Sequence, residues 1–432
     1  MPFELGQSAP RRIAIIGGGI SGLGAAHFLT DTDRVVVFEA GQRMGGHART
    51  VVAGKRGDQP VDTGFIVFNK VNYPELTRLF ETLDVPIAQS DMGFGASIAG
   101  GRLEYGLRGL PAIFAQKKNL FDPRFLRMLR DIMTFNRDAA GAVTSPDMTI
   151  GELINVMGLG PWFRDYYLTP FSGAIWSTPT QKILDFPAHA MMRFFENHAL
   201  LSYEGQHQWY TVEGGSKEYV SRLTASLERR GADLRVNAPV AAVRRTPHGV
   251  EVRAQGAEWE AFDDVVFATH GDDSLAMLSD ATGVERTALS AVKYQPNRAV
   301  LHCDERLMPK RRACWSSWVY TEPKVKTSDR IGLSYWMNSL QPIPQDDPMF
   351  VTLNATQDIR EECIYDEATF SHPLYDLDML AAQDTIRAIN GSHNTWFCGA
   401  WMRNGFHEDG LQSALDVARL MADRPEVQVA AE

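Results

Sequence analysis

The chain has 432 residues, 44% hydrophobic and 22% charged, an ordinary globular composition too long for one core. Its net charge of −10 argues against nucleic acid as a main partner, and no stretch approaches the roughly 18 apolar residues of a membrane span. Four scattered cysteines without C-x-x-C spacing fit a reduced, cytoplasmic setting, and the opening MPFELGQSAPRR lacks a signal-peptide core.

Residues 13–16 form a short apolar run of the kind that makes a buried parallel strand, and 35–38 form a second. Between them the small apolar residues 22–29 suit a helix packed closely on a sheet. Tyr73, Leu76, Leu79, Phe80 and Leu83 fall at helical spacing and predict a core-facing helix. The stretch 101–137 has another character. Eight basic side chains (Arg102, Arg108, Lys117, Lys118, Arg124, Arg127, Arg130, Arg137) stand there against Glu104, Asp122 and Asp131. A helix from Pro123 gathers Phe125, Met128, Leu129, Ile132 and Met133 on one side and Arg124, Arg127 and Asp131 on another. Such a basic amphipathic segment suits peripheral contact with a membrane.

From Asp233 the pattern turns to strands, and the alternation around 240–243 and 250–253 suits antiparallel pairing. Strand-like runs rich in tryptophan and tyrosine fill 297–354. The end reads as a strand (395–398), a glycine-rich loop and a helix (411–421). The expected class is α/β: a discontinuous Rossmann-type domain from 1–70, 205–290 and 393–432. Into it an α+β substrate domain, a mixed sheet plus helices from 71–204 and 291–392, is inserted.

IAIIGGGISGLGAAHFL carries the strongest motif. Gly17, Gly19 and Gly22 satisfy G-x-G-x-x-G directly after a strand and opening a helix. The first glycine permits the turn, the second lets a pyrophosphate approach the backbone, and the third allows close helix–strand packing. Ile20 and Ser21 occupy the first helical turn, where free N–H groups and the positive dipole end meet phosphate. Glu39 ends the second strand, where a carboxylate can accept hydrogen bonds from a ribose diol, and Ala40 follows it. Arg43, Gly45 and Gly46 make a second glycine turn, which a nicotinamide enzyme has no general need of and a flavin enzyme uses; FAD is the expected cofactor.

These residues resemble the flavin-containing amine oxidase and phytoene desaturase superfamily. The similarity continues in Asp62-Thr63-Gly64, in the Gly214-Gly215-Ser216 turn, and in Cys398-Gly399-Ala400 and Glu408-Asp409-Gly410-Leu411. It implies that Gly64, Phe65, Val240, Ala268, Thr269, Gly399 and Glu408 also hold FAD. It also implies that the last helix points the N–H groups of Gly410 and Leu411 at the ribityl chain and pyrophosphate. The strings FFENHALLSYEGQHQWYTVEGGSKEYV, LHCDERLMPKRRACWSSW and NGFHEDGLQSAL are similar to a bacterial NAD/FAD-binding subfamily encoded near cyclopropane-type fatty acid methyltransferases. That resemblance implies desaturation of methyl-branched or cyclopropane-related fatty-acyl chains. One departure stands out. Amine oxidases of this fold hold the substrate amine between two aromatic rings, and the position of one of them is His407 here. Cys398 ends a strand rather than lying in the run used for covalent attachment, so a non-covalent flavin is expected.

His407 is therefore the candidate proton partner at the carbon next to the site of oxidation. Asn197, His198, His207, Trp209 and Trp336 are candidates for the substrate cavity, whose many aromatic residues suit an apolar or lipid substrate. No histidine or acidic set has metal spacing, and no second G-x-G-x-x-G supplies a nicotinamide module. Electrons are expected to pass to oxygen or a membrane quinone, or to return to the substrate in an isomerisation. Two alternatives stay open: a flavin amine oxidase releasing hydrogen peroxide, and a non-catalytic flavin- or lipid-binding protein.

Overall fold

The computed structural model describes residues 9–202, 206–325 and 330–424. At its centre is a five-stranded sheet in the order Asp233–Arg235, Arg34–Phe38, Arg12–Ile16, Asp264–Phe267, Thr395–Phe397, parallel throughout. Alternate residues divide between two cores, as a strand period of two requires. Ile13, Ile15, Val35, Val37 and Val266 share a core with the helices Ile20–Leu29, Lys217–Arg229 and His407–Ala422. Ala14, Ile16, Val36, Phe38 and Phe267 instead share one with the antiparallel strands Val240–Thr246, Gly249–Ala254 and Glu260–Phe262. The strand-rich run after Asp233 thus splits. Its middle forms the antiparallel layer, while its first and last strands join the parallel sheet.

A second sheet has seven strands, ordered Ile364–Pro373, Tyr294–His302, Phe350–Leu353, Leu333–Trp336, Trp318–Thr321, Phe94–Ile98, Leu103–Gly106. Only the pair Trp318–Thr321 and Phe94–Ile98 is parallel, which makes it a mixed sheet. Phe94, Ala96, Leu333 and Val351 bury one face in a core with the helices Pro123–Ala142, Thr169–Trp176 and Ala188–Asn197. The short strands Val67–Asn69, Trp209–Val212 and Ile87–Ser90 form a further sheet from three distant stretches of chain.

Helix Pro123–Ala142 differs from its sequence reading. Phe125, Met128, Phe135 and Ala139 are buried, whereas Met133, expected with them, is 60% exposed. Asp131, expected on the charged face, is buried and accepts a hydrogen bond from the Gly160 N–H at 2.9 Å. The packed face is set by Phe135 and Ala139, about two and three turns beyond Met128, so Met133 rotates outward. No helix among the described residues is long and apolar enough to cross a membrane.

Candidate active site

Two glycine turns meet at the carboxyl end of the parallel sheet. Gly45 N donates to Gly18 O at 2.7 Å, and a Cβ on Gly46 would stand 3.0 Å from Gly19 Cα. Gly17 has φ +107°, and a side chain there would strike the Ala268 carbonyl, so only glycine fits. Gly19 is different. It caps helix Ile20–Leu29 in extended geometry, and an added Cβ meets nothing nearer than 4.0 Å. The free N–H groups of that helix therefore open onto a groove that a diphosphate can enter and a side chain would fill. Glu39 closes one side, its carboxylate accepting from Gly18 N at 2.8 Å and Gly41 N at 2.7 Å. Each oxygen keeps a lone pair for a ribose hydroxyl. Ala40 is exposed beside it, and Val240 sits at an irregularity in the neighbouring strand pairing. This donor set fits FAD.

Arg43 serves the loop itself. Its guanidinium donates to the carbonyls of Met44, Ala48 and Gly46 at 3.2, 2.8 and 2.9 Å, fixing the turn that presents Gly45 and Gly46. The D-x-G turn is stapled to that loop by Phe65 N donating to His47 O at 2.9 Å, which brings Gly64 and Phe65 to the groove. Asp62 of that turn is fully buried. It accepts from Ser216 N, Ser216 Oγ, Thr50 Oγ1 and Gln341 Nε2, and so holds the start of helix Lys217–Arg229. Burial pushes its carboxyl up to about 6 against those hydrogen bonds.

The last helix begins at His407, four residues before the sequence reading placed it. Asp409 explains the early start, since its carboxylate accepts from Phe406 N at 2.9 Å. Three expected cofactor contacts change role as a result. Gly410 N donates to Phe406 O, so the free N–H groups belong to the turn at His407. Gly410 instead lets two helix N-termini touch, a Cβ there falling 2.8 Å from Ser21 Oγ and 2.9 Å from Ile20 Cγ2. Leu411 is fully buried against Gly24. Glu408 turns away and accepts from Glu75 N and Leu76 N at 2.9 Å each, capping helix Pro74–Thr82. Gly399 N donates to Ser413 Oγ, and Thr269 O accepts from Trp401 Nε1, so these residues brace the floor below Ala268. Cys398 is buried, and burial pushes its thiol up to about 12.

His407 lies flat on Phe65, ring centres 3.9 Å apart and planes within 11°. Its Nε2 is 2.6 Å from the Tyr219 hydroxyl. Burial lowers its pKa to about 3, so the ring is neutral at physiological pH. Three further histidines gather nearby, none singled out by spacing because they are 223 and 102 residues apart in sequence. His47 follows the Gly45–Gly46 turn, His270 follows Thr269, and His372 comes from the edge strand of the seven-stranded sheet. Ring centres lie 6.1 Å apart for His47 and His270 and 5.8 Å for His47 and His372. Desolvation by the surrounding protein and repulsion from neighbouring histidines lower His47 to about 3 and His372 to about 4. Asn297 Nδ2 sits 2.9 Å from His372 Nδ1, and the same amide accepts at Oδ1 from Asn354. His372 Nδ1 is therefore the acceptor, and its proton is on Nε2.

On the other side of His407 a column of rings leads away. Phe406 stacks on Phe194 at 4.9 Å, Phe194 on His198 at 3.9 Å, and Trp209 follows at 6.4 Å from His198. Asn197 O accepts from Asn72 and lies 3.3 Å from His207 Nε2. Four of the five expected substrate residues thus come together. Trp336 does not, since it points to the far face of the seven-stranded sheet against Trp315 at 5.5 Å. Alternation along Leu333–Trp336 turns Tyr335 inward and Trp336 outward.

The sequence matches the family model for flavin containing amine oxidoreductases over residues 20–348. No curated protein matches it at a significant level. Among solved structures it resembles a CLA-producing fatty acid isomerase from P. acnes (15% identity, TM-score 0.66), covering 97% of this chain and 99% of that one. It also resembles cyclohexylamine oxidase from Brevibacterium oxydans IH-35A (14%, TM-score 0.66), covering 96% and 100%, and reduced UDP-galactopyranose mutase (14%, TM-score 0.69), covering 96% of each. At such identities the structures establish a shared fold and leave the substrate open. The chain belongs to the flavin containing amine oxidoreductase family and is an FAD-dependent oxidoreductase.

Proposed function

We propose that the protein oxidises a CH–CH unit of an apolar fatty-acyl substrate, methyl-branched or cyclopropane-related, rather than an amine. The observation that carries this reading is His407 itself, which is stacked on Phe65 at 3.9 Å and bonded to Tyr219, and so puts an imidazole where the resemblance expects one of the two rings that hold an amine. The column Phe406, Phe194, His198, Trp209 offers instead an apolar wall along which a chain can lie. Trp176 Nε1 and Tyr375 Oη, both buried beside Phe186, lack hydrogen-bond partners among the described residues and are placed to meet a polar end of the substrate. The solved fatty acid isomerase shows that this fold accommodates acyl chemistry elsewhere.

FAD, when bound, would supply the two-electron acceptor, with oxygen or a membrane quinone as the external oxidant. In this reading His407 takes the proton from the neighbouring carbon at Nδ1 while Nε2–H donates to Tyr219. A pKa of about 3 keeps the ring neutral and weakly basic, so the proton it accepts goes on to water at this half-exposed position while the hydride goes to FAD. Gly17, Gly19, Ile20, Ser21, Glu39, Ala40, Gly45, Gly46, Gly64, Phe65, Val240, Ala268 and Thr269 hold the cofactor, with Arg43, Gly399, Glu408, Gly410 and Leu411 supporting them from behind. Mass spectrometry of lipids from cells with and without the protein tests this. A changed set of branched or unsaturated acyl chains is expected. Unchanged lipids, with hydrogen peroxide released from one of a panel of amines, would establish the amine reading instead.

A further inference from the structure

We infer that the face around the turn 99–102 and the segment 110–121 docks on the anionic surface of a lipid bilayer. The sequence gathered eight cations in 101–137 and set Arg124 and Arg127 on one face of a helix, but in the structure those two are not the exposed cluster. Arg124 pairs with Asp122 and lies over Trp162, and Arg127 and Arg130 flank the buried Asp131 at 3.6 and 3.8 Å. Two carboxylates thus offset two of these three arginines and leave one net charge on this face.

A different set converges on the turn between strands Phe94–Ile98 and Leu103–Gly106. Lys118 Nζ donates to Arg102 O at 2.7 Å. Two lysines arrive from more than 200 residues away: Lys310, whose Cδ lies 3.8 Å from a Cβ placed on Gly101, and Lys324, which packs on Gly100. With Arg102 and Lys117 these make five exposed cations on the turn and the segment beside it, in a chain whose net charge is −10. The nearby Glu104 is buried and paired with Arg311, so it does not cancel them.

Apolar side chains project beside them. Phe121 is 85% exposed and Leu110 70%, with Leu120 and Leu126 also exposed. A nucleic acid or an acidic protein surface would meet the lysines but give Phe121 and Leu110 nothing to enter. A bilayer with anionic headgroups satisfies both, phosphates for the lysines and the acyl boundary for the rings and leucines. Behind the patch, Phe125 and Phe135 of helix Pro123–Ala142 are buried, and Phe135 meets Phe195, next to Phe194 of the column leading to Phe406. The patch is thus backed by the same packed core that holds Phe194, although docking stands or falls separately from the identity of the substrate.

The test is flotation of the FAD-loaded protein with vesicles of phosphatidylcholine, alone or mixed with phosphatidylglycerol. Binding to the mixed vesicles alone, weakening with salt, is expected. Lys310→Ala and Lys324→Ala should each lower partitioning about fivefold. Phe121→Ser should lower it about tenfold with flavin content unchanged. Arg127→Ala, whose charge is already engaged, should bind as the parent does. Failure to float with anionic vesicles overturns the inference. So does undiminished binding of Phe121→Ser, which would mark the patch as a site for soluble polyanions.

Discussion

The Tyr219 hydroxyl lies 2.6 Å from His407 Nε2, and the two residues reach one another from the helix that follows the Gly214–Gly215–Ser216 turn and the helix whose first turn holds Glu408, Asp409 and Gly410. Two of the sequence motifs thus meet through a single hydrogen bond at the edge of the cofactor groove. Replacing Tyr219 by Phe leaves Nε2 without its partner in a buried setting, at a cost of about 1–3 kcal/mol. Thermal unfolding of Tyr219→Phe should show that loss. If His407 is the proton partner, kcat should fall far more than KM rises, because ring orientation is lost while the cavity is intact. An unchanged kcat would remove His407 from the chemistry.

Gly19 and Gly22 separate cofactor binding from folding. A Cβ on Gly22 would fall 1.8 Å from Gly17 O, so Gly22→Ala must distort the sheet-to-helix turn and is expected to yield little folded protein. Gly19 has room for a Cβ and an extended backbone, so Gly19→Ala should fold normally yet fill the diphosphate groove. Its flavin content after purification should drop at least tenfold with circular dichroism unchanged.

Asp62 supports the site from beneath. Asp62→Ala would strand Ser216 N, Thr50 Oγ1 and Gln341 Nε2 inside the protein. A loss of about 3 kcal/mol in urea unfolding is expected, from orphaned donors rather than from any cavity. Because the carboxyl is raised to about 6, Asp62→Asn should cost markedly less.

Acid should destabilise the protein well before its carboxylates reach their ordinary range. His47 and His407 titrate near 3, and His198, His302 and His372 near 4, all below the usual 6.5. Between those values and 6.5 the unfolded chain binds protons that the folded one refuses, so stability rises with pH through that window. Asp62 near 6 and Asp409 near 7, with Asp264, Asp273 and Glu408 also raised by burial, act oppositely, but His27 and His270 are lowered too, so seven histidines stand against five carboxyls. The melting temperature should climb from pH 4.5 to about 6.5 and level off above it. A flat profile would contradict the neutral state of these histidines.

The sheet, its glycine turn and the acid at its edge were legible because each is local: an apolar run, three glycines and Glu39 fall within one stretch of chain. The wider motifs were legible as sequence but not as geometry. Gly410 and Leu411 were expected to offer N–H groups, yet Asp409 starts the helix at His407 and leaves those groups inside it. Glu408 caps another helix, a contact across 332 residues that no pattern announces. The cluster of His47, His270 and His372 was invisible for the same reason, its members ending up together only because two sheets meet there. Trp336 failed for want of register, since a strand of four residues does not declare which face is inward.

The most direct measurement is anaerobic mixing of the yellow, FAD-loaded protein with saturated or methyl-branched fatty-acyl lipids and, separately, with alkyl amines, while the flavin's visible absorbance is followed. Bleaching by the acyl lipids, slowed by His407→Ala and absent with the amines, is the predicted result. Bleaching by an amine, with acyl lipids inert, would contradict the account.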